Sequence, residues 1–255
     1  MKKLLLFFII SFIYSAEYYV STTGDLLNIG TFDSPFLHVQ QAADIMQAGD
    51  ICYIRQGVYH ESVILDNQDG DSGNPIIFTA YNDERVVFDG TVPINSIWNP
   101  YMGNIWVADI DFDIWQFFVN YEEMIMARWP NANFIDGSIW DKENHWAHGL
   151  IDTDENAYQN GMMIDEPHGN ISLENIGFNI QGATAILNVG SFKTYTREVL
   201  AHAGNTFTYE PVDLWKTKHH DYFLERKLEF LDSQGEWFYN PDSSKIYFWA
   251  LNNSN

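Results

Sequence analysis

The chain has 255 residues, with 13 Lys and Arg against 35 Asp and Glu, and a formal net charge of −22 at pH 7. So acidic a surface repels phosphate, which argues against nucleic acid as a partner, and an anionic glycan needs calcium or a local basic patch to approach. One cysteine, Cys52, excludes an internal disulfide, and its apolar neighbours point to a buried structural thiol.

Lys2 and Lys3 precede the apolar run Leu4 to Ile13, and Ser15-Ala16 offers small residues for cleavage, although Tyr14 fits the third position before that bond poorly. The run is too short for the roughly 20 residues that span a bilayer. Residues 1–16 therefore read as an export signal, with no transmembrane segment and a secreted or periplasmic chain starting near Glu17.

Ser34 suits a helix N-cap and Pro35 the first helical position. Val39, Ala42, Ala43 and Met46 follow at helical spacing until Gly49. Next come the apolar strand Ile51 to Ile54, a turn at Gly57, a strand-like Glu61 to Leu65, a polar loop from Asp66 to Asn74, and Ile76 to Ala80. Short strands parted by Gly, Asn and Asp turns suit a solenoid whose coils stack into parallel sheets. The open end of a first coil needs cover, and the short helix supplies a cap. Residues 17–97 are assigned to cap and first coils.

From Trp98 the character changes. Tryptophans recur at 106, 115, 129, 140 and 146 with neither coil nor helix spacing. Between Trp106 and Val119 the pattern partly alternates, placing Asp109, Asp111 and Asp113 on one face and Ile110, Phe112 and Ile114 on the other. Phe117 to Glu123 reads as two strands joined by a turn. Ala185 to Val189, Lys193 to Val199, Thr206 to Tyr209 and Lys245 to Ala250 are further strand-like runs. Residues 98–255 are expected to form an antiparallel β module inserted between early coils.

Tyr18-Tyr19-Val20-Ser21-Thr22, Gln40-Gln41-Ala42-Ala43-Asp44, the run Ala48 to Tyr59, Asn74 to Phe78 and Val87-Phe88-Asp89-Gly90 together resemble the opening of secreted bacterial β-helix proteins of polysaccharide breakdown. Ala127-Arg128-Trp129-Pro130-Asn131, Tyr222 to Glu225, Leu228 to Asp232, Gly235 to Tyr239 and Ile246 to Trp249 are similar to segments of β-helix glycoside hydrolases. The resemblance implies an all-β fold: the start of a right-handed parallel β-helix with an N-terminal capping helix and an inserted antiparallel β module. It also implies a polysaccharide or oligosaccharide partner. In such relatives the chain returns to further coils that carry the catalytic carboxylates, whereas this sequence stops at Asn255. It is therefore expected to be an incomplete, weakly active or inactive part, able to self-associate through its exposed last coil. Two alternatives stand beside this: a non-catalytic glycan-binding module, and a polysaccharide lyase, for which 13 basic residues offer little charge neutralisation.

Glycoside hydrolysis needs two carboxyls roughly 5 Å or 6.5 to 9.5 Å apart. Glu122 and Glu123 would point to opposite faces of a strand. Glu236, beside Trp237, and Asp111, within its acidic face, are the catalytic candidates, against structural readings as a turn acid and a solvated strand face. Trp129 and Trp237 are the sugar-stacking candidates. Arg128 is expected to fix the module through hydrogen bonds to carboxylates or carbonyls. Asp66, Asp69 and Asp71 offer oxygen ligands for calcium in a Gly-containing loop, without EF-hand order, so a polar turn is the competing reading. His145 and His148, expected on one side of a helical turn, and His219-His220 lack a third zinc ligand at diagnostic spacing. No cofactor beyond calcium is implied.

Overall fold

The computed structural model describes residues 15–66, 69–150, 156–213 and 217–251. Most of the expected export signal, residues 1–14, lies outside the described residues. The chain divides into two compact units, residues 1–93 and 94–255, a few residues before the anticipated 97/98 boundary. Among the described residues, no helix is long and apolar enough to cross a membrane.

The first unit stacks coils. Strands β1 (Glu17–Asp25), β2 (Ile51–Ile54), β3 (Gly57–Tyr59), β4 (Ile77–Ala80) and β5 (Val86–Phe88) form two parallel sheets, ordered β1-β2-β4 and β3-β5. Register places Tyr18, Cys52 and Phe78 in one rung and Val20, Ile54 and Ala80 in the next-but-one, all facing the lumen. The intervening Tyr19 and Tyr53 stack outside with ring centroids 5.3 Å apart. This is the parallel-coil arrangement that alternating short strands dictate. At the tight corner opening β3, Gly57 has φ 155°, and a Cβ there would meet Thr22 Cγ2 at 2.6 Å.

The capping helix α1 spans Val39–Ala43 and buries Val39, Ala42 and Ala43. It begins later than Ser34 and Pro35 suggest. Ser34 closes a turn onto the Thr31 carbonyl at 3.1 Å, and the Pro35 carbonyl accepts from Asp25 N and from the Asn28 side chain, which holds this stretch extended. His38 is the N-cap residue, and Glu61 reaches in from the following coil to accept from Val39 N at 3.1 Å. Glu61 to Leu65 is not a strand. Instead, the Gln40 side chain accepts from Ile64 N at 2.7 Å and donates to the Ile64 carbonyl at 3.0 Å, taking the place of a neighbouring strand.

The second unit contributes β6 (Asn99–Met102), β7 (Ile105–Asp109), β8 (Phe117–Val119), β9 (Glu122–Met126), β10 (Arg128–Trp129), β11 (Ala147–His148), β12 (Met162–Ile164), β13 (Thr184–Gly190), β14 (Tyr195–Glu198), β15 (Ala201–Ala203), β16 (Thr206–Thr208), β17 (Thr217–Glu225), β18 (Glu236–Asn240) and β19 (Lys245–Trp249). One sheet runs β6-β7-β19-β18-β9-β8; another runs β10-β17-β13-β14 with β11 beside β17; a third runs β12-β16-β15. Pairing is antiparallel except for β9 with β18, a departure from the purely antiparallel module expected. Along β19, Ile246 and Phe248 pack into one apolar cluster with Trp237, while Tyr247 and Trp249 pack on the other side against a larger cluster with Leu187, Phe207, Tyr222 and Leu224. The strand β19 is thus covered on both faces, as its continuous apolar run Ile246 to Trp249 requires. The β8–β9 hairpin turns at Asn120 and Tyr121, both with positive φ, in keeping with the tight two-residue turn of the sequence pattern.

Candidate functional site

The family-like phrase Ala-Arg-Trp-Pro-Asn sits at a corner between two sheets. Ala127 N donates to the Trp237 carbonyl at 2.7 Å, ending the pairing of β9 with β18, and the next residue, Arg128, already pairs with Glu225 of β17. With no larger side chain than the methyl of Ala127 at the bend, the chain switches sheets in the core.

Three ionisable groups meet there. Arg128 is 1% exposed; its Nε donates to the Pro130 carbonyl at 2.9 Å and Nη2 to the His145 carbonyl at 3.1 Å, while Nη1 is buried without a partner. The guanidinium lies 3.8 Å from the Phe223 ring centroid. Glu236 is also 1% exposed; its Oε2 accepts from Asp232 N at 3.1 Å and Ser233 N at 3.0 Å, and Oε1 has no partner. Burial pushes Glu236 up to about 8, with Asp232 adding to it, and pushes Glu225 up to about 7 against the opposing Arg128. Burial lowers Arg128 to about 10, opposed by the two carboxyls. A carboxyl that holds its proton at pH 7 is what a general acid needs, but this one is sealed from any sugar.

The structure places Glu236 inside, as an acceptor fixing the turn before β18, the place its alternative reading as a turn acid describes. Trp237 lies beside it in the core. It is 1% exposed, donates Nε1 to the Met124 carbonyl at 3.0 Å, and packs against Phe117 in the core, so no face is open for stacking. Trp129 is half-buried against the larger cluster and lies 6.3 Å from Tyr222. Arg128 fixes the module as expected, through carbonyls and ring stacking.

Asp111 is exposed, with Ile110 buried beside it, so the alternation holds although the strand ends at Asp109. The three aspartates do not converge: Asp109 takes Lys245 Nζ at 2.5 Å and Asp113 takes the Tyr239 hydroxyl at 3.3 Å. Asp66, Asp69 and Asp71 are exposed, and Asp71 is engaged in a turn with Asn74 through reciprocal backbone bonds of 3.1 and 2.9 Å. Among the described residues, no three His, Cys, Asp or Glu side chains gather as a metal site. His145 ends the helix α2 (Lys142–His145; α1 being the capping helix), whereas His148 belongs to β11 and stacks on His168 with centroids 3.7 Å apart, so the two do not share a helical turn. His220 Nδ1 lies 3.1 Å from the Tyr158 hydroxyl.

Two of the recurring tryptophans that were not chosen as stacking candidates present the open aromatic faces. Trp115 is 82% and Trp140 is 78% exposed. Trp140 ends a loop knit by its own polar groups: Asn133 N donates to Ser138 Oγ at 2.8 Å, Asp136 N to Asn133 Oδ1 at 3.0 Å, and Ser138 N to Asp136 Oδ1 at 2.8 Å. Both indoles stand beside polar residues, Gln116 and Asp141, which was the available sequence signal. In the first unit, a cavity of about 470 Å³ is lined by Val39 of the capping helix and by Ile54, Glu61, Phe78, Val86 and Phe88 of the coils.

Comparison with known proteins places these features. A family model described as a Pel9A-like, right-handed β-helix region matches residues 18–209. An uncharacterised protein, YwoF of Bacillus subtilis (strain 168), is 37% identical over 83 residues, 32% of this chain and 18% of that protein. Pectate lyase PEL9 of Emericella nidulans is 36% identical over 77 residues, 30% of this chain and 19% of that protein. A solved structure titled a glycoside hydrolase superposes on 94% of this chain and 44% of its own length, with a TM-score of 0.67 and 18% identity, a likeness of fold. The chain therefore spans less than half of the proteins it matches.

Proposed function

This chain belongs to the Pel9A-like right-handed β-helix family, and from that membership we propose that it is an exported, polysaccharide-active protein, of which these residues supply the cap, the first coils and a β module, with little or no turnover of their own. The observation that carries this is that the first unit is a stack of parallel coils, while in the second unit the proton-holding Glu236 and the neighbouring Arg128 are buried. Catalysis by two carboxyls requires both to flank a bound sugar. Here the proton-holding Glu236 is inside and Asp111 is outside. Glycan contact then falls to exposed aromatic faces, with Trp140 and Trp115 the foremost.

Lyase chemistry is the second reading, favoured by the pectate lyase similarity over the first coils. It needs a base and a charge neutraliser beside a uronate, and Arg128 is too buried to serve.

The test incubates the full chain with neutral and acidic polysaccharides and follows both new reducing ends and the ultraviolet absorbance of unsaturated products. Weak binding without either product is expected. Turnover abolished by Asp111→Asn would put a hydrolytic site in the module, and unsaturated products would establish the lyase reading.

A further inference from the structure

The buried carboxylate of Asp50 stands apart from the ionisable cluster of the second unit. It is 6% exposed in an acidic chain, and among the described residues no Lys, Arg or His side chain comes within 4 Å of it. Its Oδ2 accepts from Gln47 N at 2.8 Å, closing the turn after the capping helix. Its Oδ1 accepts from Ala16 N at 2.7 Å. A buried carboxylate lacking a cation is costly. The atom facing it across 34 residues is the backbone nitrogen next to the expected leader junction.

We propose that the leader is removed between Ser15 and Ala16, one bond before the junction at Glu17 anticipated from the sequence, and that the freed Ala16 α-ammonium forms an ion pair with Asp50. This rests on the export reading above. A leader peptidase adds water across the Ser15–Ala16 peptide bond; the Ser15 carboxylate departs with the leader, and the amine of Ala16 takes up a proton. The bond Ala16 N to Asp50 Oδ1 then becomes charge-assisted without moving an atom of the fold.

Cleavage one residue later costs more. It removes the Ala16 carbonyl, which accepts from Ile51 N at 2.9 Å as the first rung between β1 and β2, and it strips Asp50 of one of its two donors. Cleavage before Ala16 gives up only the contact of the exposed Ser15 hydroxyl with the Gly49 carbonyl.

The experiment exports the full-length protein from a bacterial host and determines its intact mass and N-terminal sequence. A chain beginning at Ala16 is expected. A start at Glu17, or an exported chain keeping Met1, overturns this proposal and leaves export standing, whereas a cell-retained chain keeping Met1 sinks both. On the mature protein, the Ala16 α-amino group is expected to titrate at least one unit above the ordinary value of roughly 7.7–8.0 and to return there in Asp50→Asn. An ordinary value in the parent overturns the ion pair. Should Asp50→Asn not fold, acetylation of Ala16, which keeps the N–H and removes the charge, is expected to lower the melting midpoint at pH 6 and not at pH 10. Equal midpoints at pH 6 refute the proposal.

Discussion

Arg128 and Glu225 stand directly opposite each other in the β10–β17 ladder, yet the Arg128 guanidinium lies over the Phe223 ring at 3.8 Å and gives its Nε and Nη2 hydrogens to carbonyls. The charge is thus held by a ring face and two dipoles, and Glu225 is left to the pull of burial, which raises it to about 7. Only a planar fork of donors makes both contacts at once. Arg128→Lys is expected to destabilise the second unit by about 3 kcal/mol, the order seen when a buried charge loses its partners. Urea unfolding of the two proteins measures it, and a loss below about 0.5 kcal/mol, the scale of ordinary surface changes, would contradict the arrangement.

Glu236 fixes a pH dependence of definite sign. Its folded value of about 8 lies above the ordinary 4.5, so the stabilisation it gives as a neutral acid is complete below pH 4.5 and is lost as pH rises through 8. At about 1.36 kcal/mol per unit over the two units from pH 6 to 8, the loss between pH 6 and 9 is about 2 to 3 kcal/mol. Glu236→Gln keeps an acceptor for Asp232 N and Ser233 N and removes the titration. Thermal melts across that window are expected to fall for the parent and to fall less steeply for the variant, in which Glu225 still titrates; parallel curves would show that Glu236 ionises freely.

Glycine substitutions separate contact from backbone strain. Gly161 has φ 81°, and a Cβ there would lie 2.0 Å from the Tyr209 carbonyl oxygen; Gly204 has φ 60° with nothing within 4 Å. Gly161→Ala is expected to cost about 3 kcal/mol or prevent folding, and Gly204→Ala about 1 kcal/mol. Calorimetric midpoints compare them, and equal costs would mean that the Tyr209 backbone yields freely.

Much of the fold was legible because its signals are local. Ile51 to Ile54 and the Lys245 strand are short apolar runs bounded by turn residues, and the Phe117 to Glu123 hairpin carries its turn at Asn120 and Tyr121. The misreadings arose where distant groups decide. Ser34 and Pro35 look like a helix start, but Asp25 and Asn28 hold the Pro35 carbonyl and keep the chain extended. Glu61 to Leu65 looks like a strand, but its backbone partner is the side chain of Gln40. At the site, Glu236 and Trp237 attracted notice for pairing an acid with an aromatic. Their burial follows from a strand sandwiched between two apolar layers, which one sequence does not display. Trp115 and Trp140, seen only as part of the tryptophan recurrence, were not picked out as open faces because exposure of a large ring is likewise a property of the packing around it.

The tie between Glu61 and the capping helix gives the last test, because the thiol inside the first unit reports on it. Glu61 accepts from Val39 N at 3.1 Å, satisfying a helix N-terminal donor from 22 residues away, and loss of such a cap typically costs about 1 kcal/mol. Cys52 lies under that helix with no exposed surface, and burial, with Glu61 adding to it, pushes its thiol up to about 12. Alkylation of Cys52 therefore requires the helix to open, and opening made easier by 1 kcal/mol accelerates labelling about fivefold. Glu61→Ala is expected to show that acceleration. Because removing the carboxylate also eases thiol ionisation, Gln40→Ala serves as the control: it breaks the two bonds to Ile64 and leaves the charge in place. A rise in both variants assigns the effect to release of the helix. A rise in Glu61→Ala alone assigns it to the charge, and no rise in either means that apolar packing of Val39, Ala42 and Met46 holds the cap by itself.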